Sequence, residues 1–212
     1  MSFYVVIPAR YSSSRLPGKP LKDIAGKPMI QHVFEQALKS DAKKVIVATD
    51  DKRIFDTVMA FGGSACMTSS AHTSGTERLQ EVAENLQLAE DEIVVNVQGD
   101  EPLIPPAVIN QVAKNLLQIK GVSAATLSVP FSDLESLTNP NVVKVVTDQR
   151  GMGLYFSRAP IPWNRSQLTN GQATMSTRIK PQRHIGIYAY RVGALRQFIK
   201  LPVAALEESE KL

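Results

Sequence analysis

Cysteine is almost missing from this chain. Cys66 is the single one in 212 residues, so neither an internal disulfide nor a cysteine-rich zinc cluster can form, and a reducing cytoplasm is the expected compartment. Cys66 itself falls in Ser64–Met67, read as a buried strand, with no neighbour arranged to make it a nucleophile. Long apolar runs are missing too. Arg10 interrupts the apolar N-terminal segment, which excludes a signal peptide, and no run of about 18 apolar residues is available to insert into or span a bilayer. Charge of either sign is modest: the formal net charge is +4, aromatics make up 6%, and Lys and Arg are spread along the chain. No basic–aromatic stripe exists, so nucleic acid is not the expected partner; cations gathered around one anionic small molecule are.

Two phosphate-binding signatures are also lacking. In the P-loop pattern Ser13 replaces the first glycine and Pro20 follows Lys19, which removes the hydroxyl that would hold a metal. The Gly-x-Gly-x-x-Gly fingerprint is absent, so a dinucleotide-dependent dehydrogenase has little support.

What is present is a basic loop of another design, Pro8 to Leu21. It follows Phe3–Ile7, an apolar run of the kind that forms a buried parallel strand. Arg10, Arg15 and Lys19 then fall among Ser, Pro and Gly. Two planar guanidinium forks and one compact ammonium suit a polyphosphate, with backbone N–H groups completing the cradle. A solvated basic loop is the plain alternative. Its place after the first strand, where open α/β sheets bind ligands, favours function.

Taken in order, the chain reads strand, helix, strand, helix over its first 63 residues, the pattern of a parallel sheet with right-handed crossovers. Pro28 is expected as a first helical residue ahead of the stripe Ile30, Val33, Phe34, Ala37 and Leu38. Val45–Ala48 forms a second strand, and Thr49-Asp50-Asp51 can cap the helix carrying Ile54, Phe55, Val58 and Met59, closed by Gly62-Gly63. Ser74–Arg78 opens another helix, with Thr76 as candidate cap; alone it is simply a helix start. Ile93–Val97 forms a strand running into Gln98-Gly99-Asp100-Glu101-Pro102, and Pro105-Pro106 opens the next helix. From Ser123 the texture is strand-like, at Ala125–Val129, Val142–Val146, Leu154–Phe156 and His184–Tyr190, around a polar stretch from Arg165 to Arg183 expected to be mobile. One domain is expected, with a nucleotide-binding half over 1–120 and a smaller sugar-acid-binding and dimerisation half over 121–212. Ala204–Leu212 reads as a helix that stops without a glycine or asparagine cap.

Asp100 is the natural partner of the basic loop. Magnesium favours one or two carboxylates plus substrate phosphates, and Asp100 ends a strand at the same sheet edge; a plain Gly-Asp turn is the other reading. Glu101 is expected to point elsewhere by strand alternation. His184 opens an apolar strand, where a lone histidine is usually structural, and His32 and His72 show no obvious partner. Trp163 either walls a sugar pocket or packs a turn. Arg158 and Arg165 bracket the proline-rich bend before and after it, which suits either a bound carboxylate or solvent.

The blocks PARYSSSRLPGKPL, GKPMIQHV, SGTER, VNVQGDEPLI, LYFSRAPIP and HIGIYAYR, in this order, strongly resemble the 3-deoxy-manno-octulosonate cytidylyltransferases, the CMP-Kdo synthetases of lipopolysaccharide biosynthesis. The resemblance runs from Met1 to the end of the chain. It implies a nucleotidyltransferase-type three-layer α/β/α sandwich with a mostly parallel central sheet, and transfer of CMP from CTP to Kdo with Mg2+ and release of pyrophosphate. It assigns Ala9, Arg10, Arg15, Lys19, Ser74, Gly75, Arg78 and Asp100 to the nucleotide, with Asp100 also holding the metal. Lys19, Asp100 and Arg15 are the expected catalytic residues, Lys19 stabilising charge on the α-phosphate or leaving group. Gln98, Arg158, Arg165, His184, Tyr188 and Glu210 are assigned to the sugar acid. The resemblance further implies a cytoplasmic homodimer. Family members continue past the equivalent of Leu212 with a VDTPED-like segment whose aspartate helps hold metal, so a truncated chain is expected. The alternatives are the same chemistry on 8-amino-Kdo or sialic acid, and a non-catalytic nucleotide-binding fragment.

Overall fold

The computed structural model describes residues 2–12, 16–163 and 180–212, which divide into two compact units, Met1–Ala125 with Ile187–Leu201 and Thr126–Gly186 with Pro202–Leu212. In the first unit, β1 (Tyr4–Ala9) lies between β4 (Lys44–Thr49) and β6 (Ile93–Asn96), parallel to both, and β5 (Ala65–Met67) extends the sheet beyond β4. The later residues of β10 (Gln182–Arg191) run antiparallel to β6, Tyr188 opposite Asn96 and Tyr190 opposite Val94. The mostly parallel sheet expected from the sequence is therefore present.

Both faces of this sheet are covered, which is why its strands read as unbroken apolar runs. Tyr4, Val6, Ile46, Ala48 and Val94 point to one side. There they pack with Leu79, Val82 and Ala83 of α3 (Gly75–Asn85) and Val192 and Leu195 of α6 (Val192–Phe198). The alternate residues Val5, Ile7, Val45, Val47, Ile93 and Val95 are equally buried, and helices α1 (Met29–Leu38) and α4 (Pro106–Gln118) pack on β4 and β6 and on each other. Each fully buried Val, Ile or Leu contributes about 1.5–3 kcal/mol, so the three layers are held mainly by this burial.

Local chemistry sets the boundaries. Asp51 caps α2 (Lys52–Ala60) by accepting the Arg53 N–H, and Gly62 ends that helix at φ 79°. Pro106 occupies the first turn of α4. Two expectations shift. Pro28 caps α1 instead of opening it, because it belongs to a small antiparallel hairpin of β2 (Asp23–Ile24) and β3 (Lys27–Pro28). That hairpin turns at Ala25 and Gly26, both at positive φ, and two-residue strands leave no periodic signal. Ser74, not Thr76, caps α3: its hydroxyl accepts the Glu77 N–H, and Glu77 returns the bond to the Ser74 N–H, a full capping box.

In the second unit, β8 (Lys144–Thr147) pairs antiparallel with β9 (Gly153–Ser157) and with the first residues of β10. β7 (Ala124–Pro130), which also pairs with β10, is followed by α5 (Leu134–Thr138), a short helix not expected from the sequence. β8 starts two residues later than the apolar run suggests. Lys144 is fully buried, and its ammonium donates to the carbonyls of Asn139, Val142 and Arg158 at 2.7–2.8 Å; two of these carbonyls belong to the turn before the strand. α7 (Ala205–Glu210) ends on Lys211 in the left-handed region, so the helix read as uncapped closes on a non-glycine residue.

A candidate nucleotide site at the ends of β1 and β6

β1 and β6 are adjacent and parallel, so their C-terminal ends deliver Pro8-Ala9-Arg10 and Gln98-Gly99-Asp100 to one edge of the first unit. The backbones meet closely there: a Cβ on Gly99 would lie 2.8 Å from the Pro8 carbonyl oxygen. Only glycine allows that approach. Gly75, at the start of α3, closes from the other direction, its Cβ position 3.3 Å from Pro8 Cγ.

Between these strand ends and a 3-10 turn at Lys19–Leu21 lies a cleft of about 660 Å³. Ala9, Arg10, Ser12, Lys19, Gln98 and Asp100 line it with Leu16 and Met29. The Lys19 ammonium donates to Asp100 Oδ2 at 2.6 Å, with the two side chains 38% and 51% exposed. An ion pair this open to solvent is worth little and separates readily when a ligand brings its own charges. Beside it, burial pushes the Glu101 carboxyl above its usual range, and the negative charge of Asp100 adds to the effect.

The other assigned residues described in the first unit do not line the cleft. Ser74 and Gly75 form the start of α3, where free N–H groups can meet an anion or a base. Arg78 is fully buried: Nη2 donates to Asp50 Oδ2 and Nη1 to Thr68 Oγ1, both at 2.7 Å, while Nε has no partner among the described residues. It braces the segment before α3 against the end of β4. Tyr188 stacks on Tyr190 with ring centroids 5.6 Å apart, and burial drives the Tyr190 phenol well above its usual range.

In the second unit, His184 Nε2 lies 3.0 Å from the Thr126 hydroxyl, with the Phe156 ring edge-on at 5.0 Å; burial pushes the imidazole below its ordinary pKa. Arg158 and Glu210 lie against each other. The Glu210 carboxylate accepts from the Tyr155 and Ser157 hydroxyls at 2.8 and 2.9 Å and from the Arg158 N–H. The Arg158 guanidinium donates to the carbonyls of Pro140, Glu210 and Lys211. Arg15 and Arg165 lie outside the described residues, as does most of the stretch expected to be mobile.

The sequence reading overlooked Asp50 as the partner of Arg78, and Gly99 as the residue that lets the ends of β1 and β6 meet closely. Gly99 had a usable signal, a glycine two residues past the apolar run Ile93–Val97 and just before a carboxylate. The Asp50–Arg78 pair spans 28 residues, a separation at which no local pattern exists.

The cytidylyltransferase family model matches residues 4–212. The chain belongs to the cytidylyltransferase family. It is 62% identical to the 3-deoxy-manno-octulosonate cytidylyltransferase of Saccharophagus degradans over its whole length, covering 84% of that relative. It is 56% identical to that of Pasteurella multocida, again over all of this chain and 84% of the relative. Among solved structures, a CMP:2-keto-3-deoxy-manno-octonic acid synthetase complexed with CTP superposes with TM-score 0.88 at 45% identity, covering 100% of this chain and 82% of that one. A cytidylyltransferase from Leptospira borgpetersenii, at TM-score 0.59 and 17% identity over 97% of this chain and 66% of that one, shares the fold.

Proposed function

We infer that this cytidylyltransferase transfers CMP from CTP to Kdo, forming CMP-Kdo and pyrophosphate and so activating the sugar acid for lipopolysaccharide biosynthesis. The observation that carries the reading is the cleft at the ends of β1 and β6, where Lys19 and Asp100 form a solvent-open pair beside Arg10. The relatives and the CTP-bound neighbour supply the identity of nucleotide and acid.

In this reading the anomeric hydroxyl oxygen of Kdo bonds to the α-phosphorus, its proton passing to solvent, and the α–β bridging P–O bond breaks as pyrophosphate leaves in line. Such a transfer depends on positioning and charge neutralisation. Arg10 and Lys19 take phosphate oxygens, with Lys19 countering the charge that grows on the α-phosphate or leaving group. Ser74, Gly75 and Ala9 lie where the nucleoside enters, with Arg78 bracing that wall from behind. Gln98 reaches toward the acid, and Arg158, His184, Tyr188 and Glu210 carry the remaining acid assignments.

Magnesium fits the donor set. Asp100 offers one half-exposed carboxylate at the cleft, and no group of three or more metal-ligating side chains occurs among the described residues, so substrate phosphates would complete the shell, as this ion favours. When bound, it supplies charge neutralisation at the phosphates. A cytoplasmic homodimer is part of the same reading. Leu154 of β9 and Val203 and Leu206 around α7 are exposed apolar side chains suited to a second copy, and among the described residues no helix is long and apolar enough to cross a membrane.

The test is pyrophosphate release from CTP with magnesium. Release is expected only with Kdo present and is abolished by chelator. No release with any octulosonic or nonulosonic acid overturns the enzymatic reading, and equal rates with UTP or GTP overturn the cytidine assignment.

A further inference from the structure

The loop carrying Arg10 and Lys19 is fastened at a residue that does not itself line the cleft. Tyr11 accepts the Gly18 N–H on its carbonyl at 2.8 Å, which closes the loop one residue before Lys19. Its ring lies against Gly18: a Cβ there would meet Tyr11 Cε2 at 3.0 Å, and Gly18 stands at φ +67°. A side chain at position 18 is therefore opposed twice, by backbone conformation and by the tyrosine ring.

The same ring carries a cation. The Arg53 guanidinium carbon lies 3.3 Å from the Tyr11 ring centroid. Arg53 is itself held by Asp51, whose oxygens accept its Nε and Nη2 at 3.0 and 2.6 Å. Asp51 in turn caps α2, directly after the end of β4. A continuous series thus runs from the end of the sheet to the cation: Asp51, Arg53, Tyr11, Gly18, Lys19.

We propose that Tyr11 and Arg53 are positioning residues for Lys19, seating the loop so that its ammonium meets the triphosphate. The inference rests on the cleft being the CTP site. Lys19 has a long flexible stem, so the backbone from which it springs decides where its charge can reach. A displacement of about 1 Å at a reacting centre costs on the order of 100-fold in rate. An exposed cation–π contact adds little stability; the value of this one lies in fixing a ring that Gly18 leans on. Arg53 and Tyr11 need touch no substrate to do this.

The experiment is a double-mutant cycle on the full chain, read by CTP titration with magnesium and by the turnover number for pyrophosphate release. Tyr11→Leu is expected to lower turnover about 10-fold in the native background and less than about 2-fold in a Lys19→Ala background, because its effect passes through Lys19. Tyr11→Phe keeps the ring face and recovers most of the loss. Arg53→Met enters the series from its exposed end and is expected to reproduce the Lys19-dependent loss if Tyr11→Leu fails to fold. Equal fold-losses in both backgrounds overturn the positioning role while leaving the cytidylyltransferase reading intact. A native chain that binds no CTP overturns both.

Discussion

Lys19 and Asp100 hold each other at 2.6 Å because the basic loop after β1 and the turn after β6, two parallel neighbours, meet at one edge of the sheet. The pairing sharpens the expected result of removing one partner. Lys19→Ala frees Asp100 and should leave CTP binding weakened only modestly, since Arg10 remains. Turnover should fall by roughly 100- to 1,000-fold, the usual loss when one transition-state donor is removed. Calorimetric titration beside steady-state rates separates the two; equal loss in both removes the transition-state role of Lys19. Arg78 shows the opposite case. Its assignment came with a motif, but its guanidinium is buried against Asp50 and Thr68, contacts made by residues distant in sequence.

At the level of elements, the strands buried on both faces were the easiest to read, because a short continuous apolar run bounded by polar residues fits a doubly covered strand better than an amphipathic helix. The β2–β3 hairpin, α5 and α6 were not read. The first is too short for periodicity, and the helices span five and seven residues, barely two turns at most. The start of α3 was placed correctly but its cap was not, since serine and threonine two residues apart both qualify by type. The capping box at Ser74 makes a direct prediction: Ser74→Ala should destabilise the first unit by about 1 kcal/mol, and Ser74→Asp should restore most of it. Urea unfolding measures this without reference to activity. No change in midpoint for Ser74→Ala would show that α3 is held by packing alone.

α7 depends on charge in a similar way. Backbone and side-chain donors, the Arg158 N–H first and then the Tyr155 and Ser157 hydroxyls, hold the Glu210 carboxyl below its ordinary value of 4.5. A depressed folded-state pKa means the contact contributes fully above that ordinary value and is lost as pH falls through the lowered one. Hydrogen-exchange protection of Ala205–Glu210 should therefore hold through neutral and mildly acidic pH and drop only below the usual carboxylate range. Glu210→Gln should lower protection at neutral pH and abolish the acid step. An acid step that survives in Glu210→Gln would assign the titration to another group.

For the whole molecule, the decisive feature is that the cleft is built from one compact unit, while Arg158, His184 and Glu210 belong to the other. The resemblance assigns nucleotide residues to the first half and, apart from Gln98, acid residues to the second, but says nothing of β10 taking part in both units. Its residues 182 and 183 pair with β8 and its residues 188–191 with β6, a continuity no local pattern encodes. Ligand linkage then has a spatial form. A ligand at 100 times its dissociation constant stabilises its binding unit by about 2.7 kcal/mol, and exchange by local opening reports where that stabilisation falls. Saturating CTP should slow exchange in β1, the Lys19 turn and the start of α3 by up to about 100-fold. β8 and β9 should stay within a few-fold of their free rates until Kdo or a carboxylate analogue is added. Uniform slowing of both units by CTP alone would mean that they open as one cooperative body, and the nucleotide would then stabilise Arg158, His184 and Glu210 before any acid arrives.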